Sequence, residues 1–360
     1  MLQAPEYQLT PEDANRASNI EKDFVRVGIN TLPQLGEVVI VEDPAKGIQH
    51  YMIEHSYNNP QLFEREVAFA KRRKLANSPF LNRYIDFTTS YSKGRGGGWI
   101  RHFAEIPKKI LGGLVDTRDP ALSTSIFMTE LLYQMIDAGA ALQDVGLAHG
   151  NISADYISFK EPCNFKLVDN FTSLGSLEDI RQRIVSKTHR YVSPEVFQKV
   201  MSNESLERIN IIKHDVFCLG LLLLQMGTGC SIKDVYNFDG TFNRSKFKVL
   251  QDDFVNHYRS QENRLLAYTV IENMLDIDHN SRLDFKGLKK KLPPLKDVAR
   301  YFQEEYHLEP GMSCLEFPDL EYEHLQNSRA EGNHRVISIA EITAGQFHPQ
   351  SECILLEDTR

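Results

Sequence analysis

Three carboxylates in this 360-residue chain, Glu54, Asp155 and Asp169, could in principle hold a metal ion. Two of them sit in short segments that carry most of the chemistry. One reads His149-Gly150-Asn151-Ile152-Ser153-Ala154-Asp155-Tyr156, the other Phe165-Lys166-Leu167-Val168-Asp169-Asn170-Phe171, and Asn151 precedes Asp169 by 169 − 151 = 18 positions. The amide of Asn151 can orient a hydroxyl but cannot take up its proton at neutral pH. Tyr156 offers a bulky neutral phenol, a poor ligand for Mg²⁺, which prefers carboxylate and water oxygens at about 2.0–2.1 Å. Its ring is expected to take up the space of a metal or phosphate. The run Gly94-Arg95-Gly96-Gly97-Gly98 invites a phosphate-loop reading, but neither a helix nor a Lys-Ser/Thr pair follows it, so a hairpin turn is expected.

The elements that must position these residues follow from periodicity. Phe24–Val27 alternates with period two, Glu37–Glu42 is β-branched, and Asp43–Gly47 is a turn before a returning strand at His50–His55. Pro60 to about Ala76 has helical spacing, with apolar Leu62, Phe63, Val67, Phe69 and Ala70. Phe80–Phe87 and Trp99–Ala104 read as two further strands. Beyond Pro107 helices dominate: Ser123–Val145, interrupted only by Gly139, then Ile211–Met226 and Arg264–Leu275. The basic runs Lys71–Lys74 and Lys289–Lys291 are expected to be solvated helix faces.

Composition narrows the classes. With 41% hydrophobic and 25% charged residues the chain is globular, and a net charge of −8 does not favour a nucleic-acid partner. The longest apolar run, Cys218–Leu224, is too short to span a bilayer. The N-terminus has neither the basic nor the apolar region of a secretory signal. Five scattered cysteines, never spaced C-x-x-C, point to reduced thiols without a zinc site. A cytoplasmic protein is the expectation.

Five segments in order resemble landmarks of the protein kinase family over roughly residues 22–297. Leu147–Phe159 is similar to the catalytic loop, Phe165–Phe171 to the strand ending in the metal-binding Asp-Phe-Gly motif, and Thr188–Phe197 to the end of an activation segment. Lys213–Met226 resembles the buried helix that anchors the large lobe, and Asn273–Leu288 the closing helices. The resemblance implies an α+β, bilobal protein kinase-like fold. A small antiparallel-β lobe with one regulatory helix would span 22–106 and a mainly helical lobe 107–297, between an N-terminal extension (1–21) and an acidic C-terminal tail (298–360). It further implies structural roles: His149 in the catalytic loop, Glu195 and Arg282 as a buried ion pair, and Asp215 as the helix-start acid that accepts backbone N–H bonds from that loop.

Against that pattern the catalytic positions are degenerate. Glu54 is expected where a strand lysine would grip phosphate, Asn151 where the base belongs, Ser153 at a further catalytic-loop position, and Tyr156 at the second metal ligand. The helix acid that would pair with the lysine falls at Glu66, which then has no such partner. Only Gly28 and Gly36 stand where a Gly-rich loop is usual. Asp169 alone keeps the metal-binding type and is the candidate contact for a metal or nucleotide, followed by Asn170 in place of an apolar residue and Phe171 in place of a Gly. Gly150 replaces an Arg that in many kinases receives an activation-loop phosphate, so Phe171–Lys187 is expected to be held by packing. The implied function is that of a pseudokinase, catalytically inactive, a scaffold or allosteric regulator of a protein partner such as an active kinase or signalling complex. It would need no cofactor, save residual ATP/Mg²⁺ at Asp169, no nucleic acid and no membrane span. The alternatives are a kinase-fold enzyme with residual ATP and metal binding and atypical phosphoryl or nucleotidyl transfer, or an active Ser/Thr kinase. The tail, with Tyr306, Phe317 and Tyr322 among its acids, reads equally as a docking segment or as disorder.

Overall fold

The computed structural model of the protein describes residues 24–293, apart from 33–34, 93–96, 118–122, 124, 161–162, 172–180, 183, 186–190, 207, 238–240 and 259–263, together with Arg335–Ile337 and Cys353–Leu355. The extension 1–21, most of the glycine run and of segment 171–187, and the acidic tail apart from those two short strands lie outside the described residues.

The chain is α+β, an antiparallel sheet followed by a helical body. Strands β1 (Val25–Leu32), β2 (Gly36–Asp43), β3 (Ile48–Tyr57), β4 (Tyr84–Ser92) and β5 (Gly97–Glu105) form one sheet in the order β1-β2-β3-β5-β4. Tyr51, Ile53 and Tyr57 on β3 turn to the buried face, as period two requires. Helix α1 (Pro60–Leu75) covers that face. Asn59 caps it by accepting from the amides of Gln61 (2.9 Å) and Leu62 (3.2 Å), Pro60 occupies the first turn, and Phe63, Val67 and Ala70 pack on Phe87 and Ile100.

The strand expected from Phe80 begins instead at Tyr84. Phe80–Asn82 spends its backbone elsewhere: Leu167 N–H donates to Phe80 O (2.8 Å) and Asn82 N–H to Leu167 O (2.9 Å). Leu167 ends β8 (Asn164–Leu167), which lies with β6 (Lys109–Ile110) and β7 (Ile157–Lys160) in a small second sheet. The segment after α1 is thereby tied to the stretch that carries Asp169.

The helical body comprises α2 (Leu111–Thr117), α3 (Ser125–Asp144), α4 (Pro194–Met201), α5 (Ile211–Thr228), α6 (Arg244–His257), α7 (Arg264–Tyr268) and α8 (Phe285–Lys291). Helix α5, capped by the Asn210 side chain and ended by Gly229, is long and apolar enough by composition to cross a membrane. Here it is the central core helix, buried along most of its length. Gly139, which interrupts the apolar pattern of α3, lets α8 approach: a Cβ there would lie 2.6 Å from the Phe285 ring. Arg335–Ile337 and Cys353–Leu355 form a separate parallel pair.

Two charges anchor this body as expected. Arg282 is buried and grips Glu195 through both carboxylate oxygens (2.7 and 3.2 Å). It also donates to the carbonyls of Asp276 (2.9 Å) and Lys213 (3.1 Å), with its guanidinium 4.5 Å above the Phe217 ring. Arg282→Ala should destabilise the chain by about 3–5 kcal/mol, because Glu195 and two carbonyls lose their partner. Urea denaturation checks this, and a loss below about 1 kcal/mol would mean the pair is not a structural anchor.

Candidate functional site

Between the sheet and the helical body a cluster of side chains surrounds Phe171. Leu32, Val38, Ile40, Tyr51 and Ala104 from the sheet close over Phe171, with Leu35, Ile53, Tyr84 and Ile106 packed at the margin. The Phe171 ring meets Tyr51 at 5.6 Å, Tyr84 at 6.2 Å and His102 at 5.3 Å between centroids. Phe171 holds φ at +55° and is fully buried. A left-handed backbone costs a residue with a Cβ about 1–2 kcal/mol, and here burial of the aromatic ring offsets it. The β1–β2 hairpin contributes to the seal rather than to a phosphate cradle: it turns tightly, with Leu35 N–H donating to Leu32 O (3.1 Å), and puts both leucines on the cluster.

Beside this cluster lies a buried ion pair that the reading of the sequence missed. Arg73, near the end of α1 and only 2% exposed, donates Nε to Asp169 Oδ1 (2.5 Å) and Nη2 to Asp169 Oδ2 (2.9 Å). Nη2 also reaches Asn82 O (2.8 Å), and the guanidinium lies 5.4 Å from the Tyr84 ring centre. Asp169 is 4% exposed, so both oxygens of the candidate metal ligand are engaged by one cation. The expectation that Lys71–Lys74 is a solvated face is corrected at this position. Arg73 lies seven residues after buried Glu66 and three after buried Ala70, on the inward stripe of α1, a spacing visible in the sequence. Its neighbour Lys74 pairs with Asp86 (2.7 Å), and Arg72 reaches Gly146 O (3.3 Å). Burial and the Asp169 charge push the Tyr51 hydroxyl pKa well above its ordinary value.

Glu54 is likewise corrected. Strand alternation turns it to the outer face of β3, where it pairs with Arg101 on β5 (2.6 Å), whose guanidinium sits 4.1 Å above the Trp99 ring. The buried face at this end of β3 presents Ile53 and His55 instead, His55 within 5.8 Å of the His102 ring. Asp155 packs its carboxylate against Gly112 of α2. The three carboxylates are therefore not brought together, and among the described residues no group of three or more His, Cys, Asp or Glu side chains is placed to hold a metal ion.

The segment 149–156 is organised from below by Asp215, which accepts the amides of His149 (2.8 Å) and Gly150 (2.9 and 3.0 Å) as expected. Gly150 supplies the positive φ of 76° that lets these consecutive N–H groups converge. His149 Nδ1 accepts from Asn151 N–H (3.2 Å), which leaves Nε2 to donate to Val168 O (2.8 Å). Asn151 and Ser153 are both buried. Tyr156 does not project between sheet and body: its ring packs edge-on to His149 (5.2 Å) within the core of the helical body. Asn170 donates its side-chain amide to His149 O, which explains a polar residue in an apolar surround. Of segment 171–187, Ile184 is buried with Val192 and Val196, and Arg181 holds Asn203 (2.9 Å).

Among known proteins, no model of a family matches the chain, and no curated protein matches it either.

Two measurements probe the site. Arg73→Ala should cost about 3–5 kcal/mol in urea denaturation by leaving Asp169 buried without a counter-charge, whereas the double change Arg73→Leu with Asp169→Leu should recover most of it. Additive losses would rule out a coupled pair. Asp215 supplies a pH signature: burial lifts its pKa from 3.8 to about 7, against the opposing pull of the Gly150, His149 and Ile152 amides. The native chain then holds a proton that the unfolded chain releases across that window, so Asp215 makes stability fall as pH rises from about 4 to about 7. Asp215→Asn should remove this component, read as the difference in urea midpoint between about pH 5 and about pH 7. An unchanged difference would place the titration elsewhere.

Proposed function

We propose that the chain is a protein kinase-like domain without phosphoryl-transfer activity, a pseudokinase that works as a scaffold or allosteric regulator by binding a protein partner such as an active kinase or signalling complex. The observation that carries this reading is the combination of a buried aromatic cluster and a captured carboxylate. Tyr51 and Phe171 pack ring to ring in a buried cluster between sheet and body, and Arg73 takes both oxygens of Asp169.

Phosphoryl transfer rests on positioning and electrostatics: a group that receives the hydroxyl proton, ligands for the metal ions and a cation on the phosphates. Asn151 stands at the proton-accepting position with an amide. Tyr156 stands at a metal position and is buried against His149. To reach a metal, Asp169 would have to leave Arg73, and a buried guanidinium without its counter-charge costs about 3–5 kcal/mol. A nucleotide base would have to displace Phe171 and Tyr51 as well. The anchors of the helical body, Glu195–Arg282 and Asp215 with the 149–150 amides, fit a fold retained as a rigid body for partner binding.

Thermal unfolding with adenosine, and with ATP in the presence and absence of Mg²⁺ or Mn²⁺, tests the reading. No shift with adenosine and no metal-dependent shift with ATP is the expected result. A metal-dependent rise in Tm that Asp169→Ala abolishes would overturn it.

A further inference from the structure

A second feature of the fold has no part in that reading. A cavity of about 690 Å³ opens between the start of β3, the end of α1, the segment 76–84, Glu105 at the end of β5 and Lys166 on β8. Four permanent cations line it: Arg73, Lys74, Arg83 and Lys166. Arg73 is neutralised by Asp169 and Lys74 by Asp86. Lys166 is held more loosely, its ammonium 3.4 Å from Glu105. Arg83 is exposed, and its guanidinium makes no hydrogen bond or ion pair among the described residues. The cavity therefore carries one cation more than it has carboxylates to balance them.

A second, independent observation points the same way. His50 lines the cavity at 8% exposure, and its Nδ1 has no hydrogen-bond partner. Buried polar atoms in folded proteins are almost always paired. Burial and the charge of Arg83 hold its pKa below the ordinary histidine value, so the neutral ring adds polarity without adding charge. Ile48 and Leu81 supply apolar wall. The volume is that of a small-molecule site, about 300–1,000 Å³, and far exceeds a bare ion.

We propose that this cavity binds a small phosphate monoester, its phosphate held by Arg83 and Lys166 and its organic part against Ile48 and Leu81. The planar guanidinium matches two phosphate oxygens, the ammonium acts as a point charge on another, and the dianion outcompetes Glu105 for Lys166. A carboxylate offers one oxygen fewer and half the charge.

The experiment is a calorimetric titration of the full chain with phenyl phosphate in metal-free buffer, beside benzoate and inorganic sulfate. Phenyl phosphate should bind at millimolar or lower concentration and more tightly than either control, with no enhancement by Mg²⁺. Arg83→Ala and Lys166→Gln should each weaken it about tenfold or more, while Lys248→Ala, which removes an exposed charge on α6, should leave it unchanged. Both variants keep the core intact, and an unliganded Tm equal to that of the parent chain verifies that. Absence of phenyl phosphate binding, equal binding of benzoate or sulfate, or affinity undiminished in both variants would each overturn the proposal. The adenosine and metal-dependence readouts of the nucleotide test do not depend on this site, so either idea can fail without the other.

Discussion

A guanidinium taken out of water must find acceptors for its donors and a counter-charge, and Arg73 finds them in three places: the two oxygens of Asp169 and the carbonyl of Asn82. That requirement ties together three stretches distant in sequence. Helix α1 must end where Arg73 points inward. Residues 80–82 must run alongside Leu167, which their backbone hydrogen bonds ensure. The segment after β8 must present Asp169 to the helix rather than to the space beside Asn151. A buried pair of this kind adds little to stability compared with apolar residues of the same volume, but removing one partner is expensive. Its effect is to make one arrangement of α1 against the helical body much better than its neighbours.

Phe171 follows two residues later and inherits that constraint. With Asp169 fixed by Arg73 and Asn170 fixed on the His149 carbonyl, the backbone at position 171 is driven to positive φ. Glycine would adopt it without strain. A phenylalanine adopts it because its ring then lands among Tyr51, Tyr84, His102 and Ala104, where its burial offsets the strain. The local strain and the ring burial are thus one trade within one residue.

Much of the fold was legible because it depends on local periodicity. The apolar spacing of α1, the long helical runs of α3 and α5, the period-two start of β1 and the β-branched run of β2 are properties of contiguous residues. Gly139 was visible as an interruption, and its reason, the Phe285 ring, was not, because that contact spans the whole helical body. Glu54 shows how a strand misleads. A shift of one residue in assigned position moves a side chain from one face to the other, and the resemblance assigned the strand-lysine position to Glu54, a residue on the outer face. Arg73 shows the reverse error. A run of four cations resembles a solvated surface by composition, yet one position in four continues the inward stripe of the helix.

The two buried ion pairs were not equally readable. Glu195 and Arg282 lie in segments that resemble known landmarks, so their pairing could be carried over and the geometry agrees. Arg73 and Asp169 are 96 residues apart, and only Asp169 lies in such a segment. Resemblance of a segment suggests a role for its own residues; it does not reveal a partner supplied by another element. The carboxylate of Asp169 is held by an arginine of the same chain, which gives an acidic side chain at this position a structural role. Because Asp169 neutralises Arg73, the positive charge left for an anion in the cavity that Arg73 also lines comes from Arg83 and Lys166.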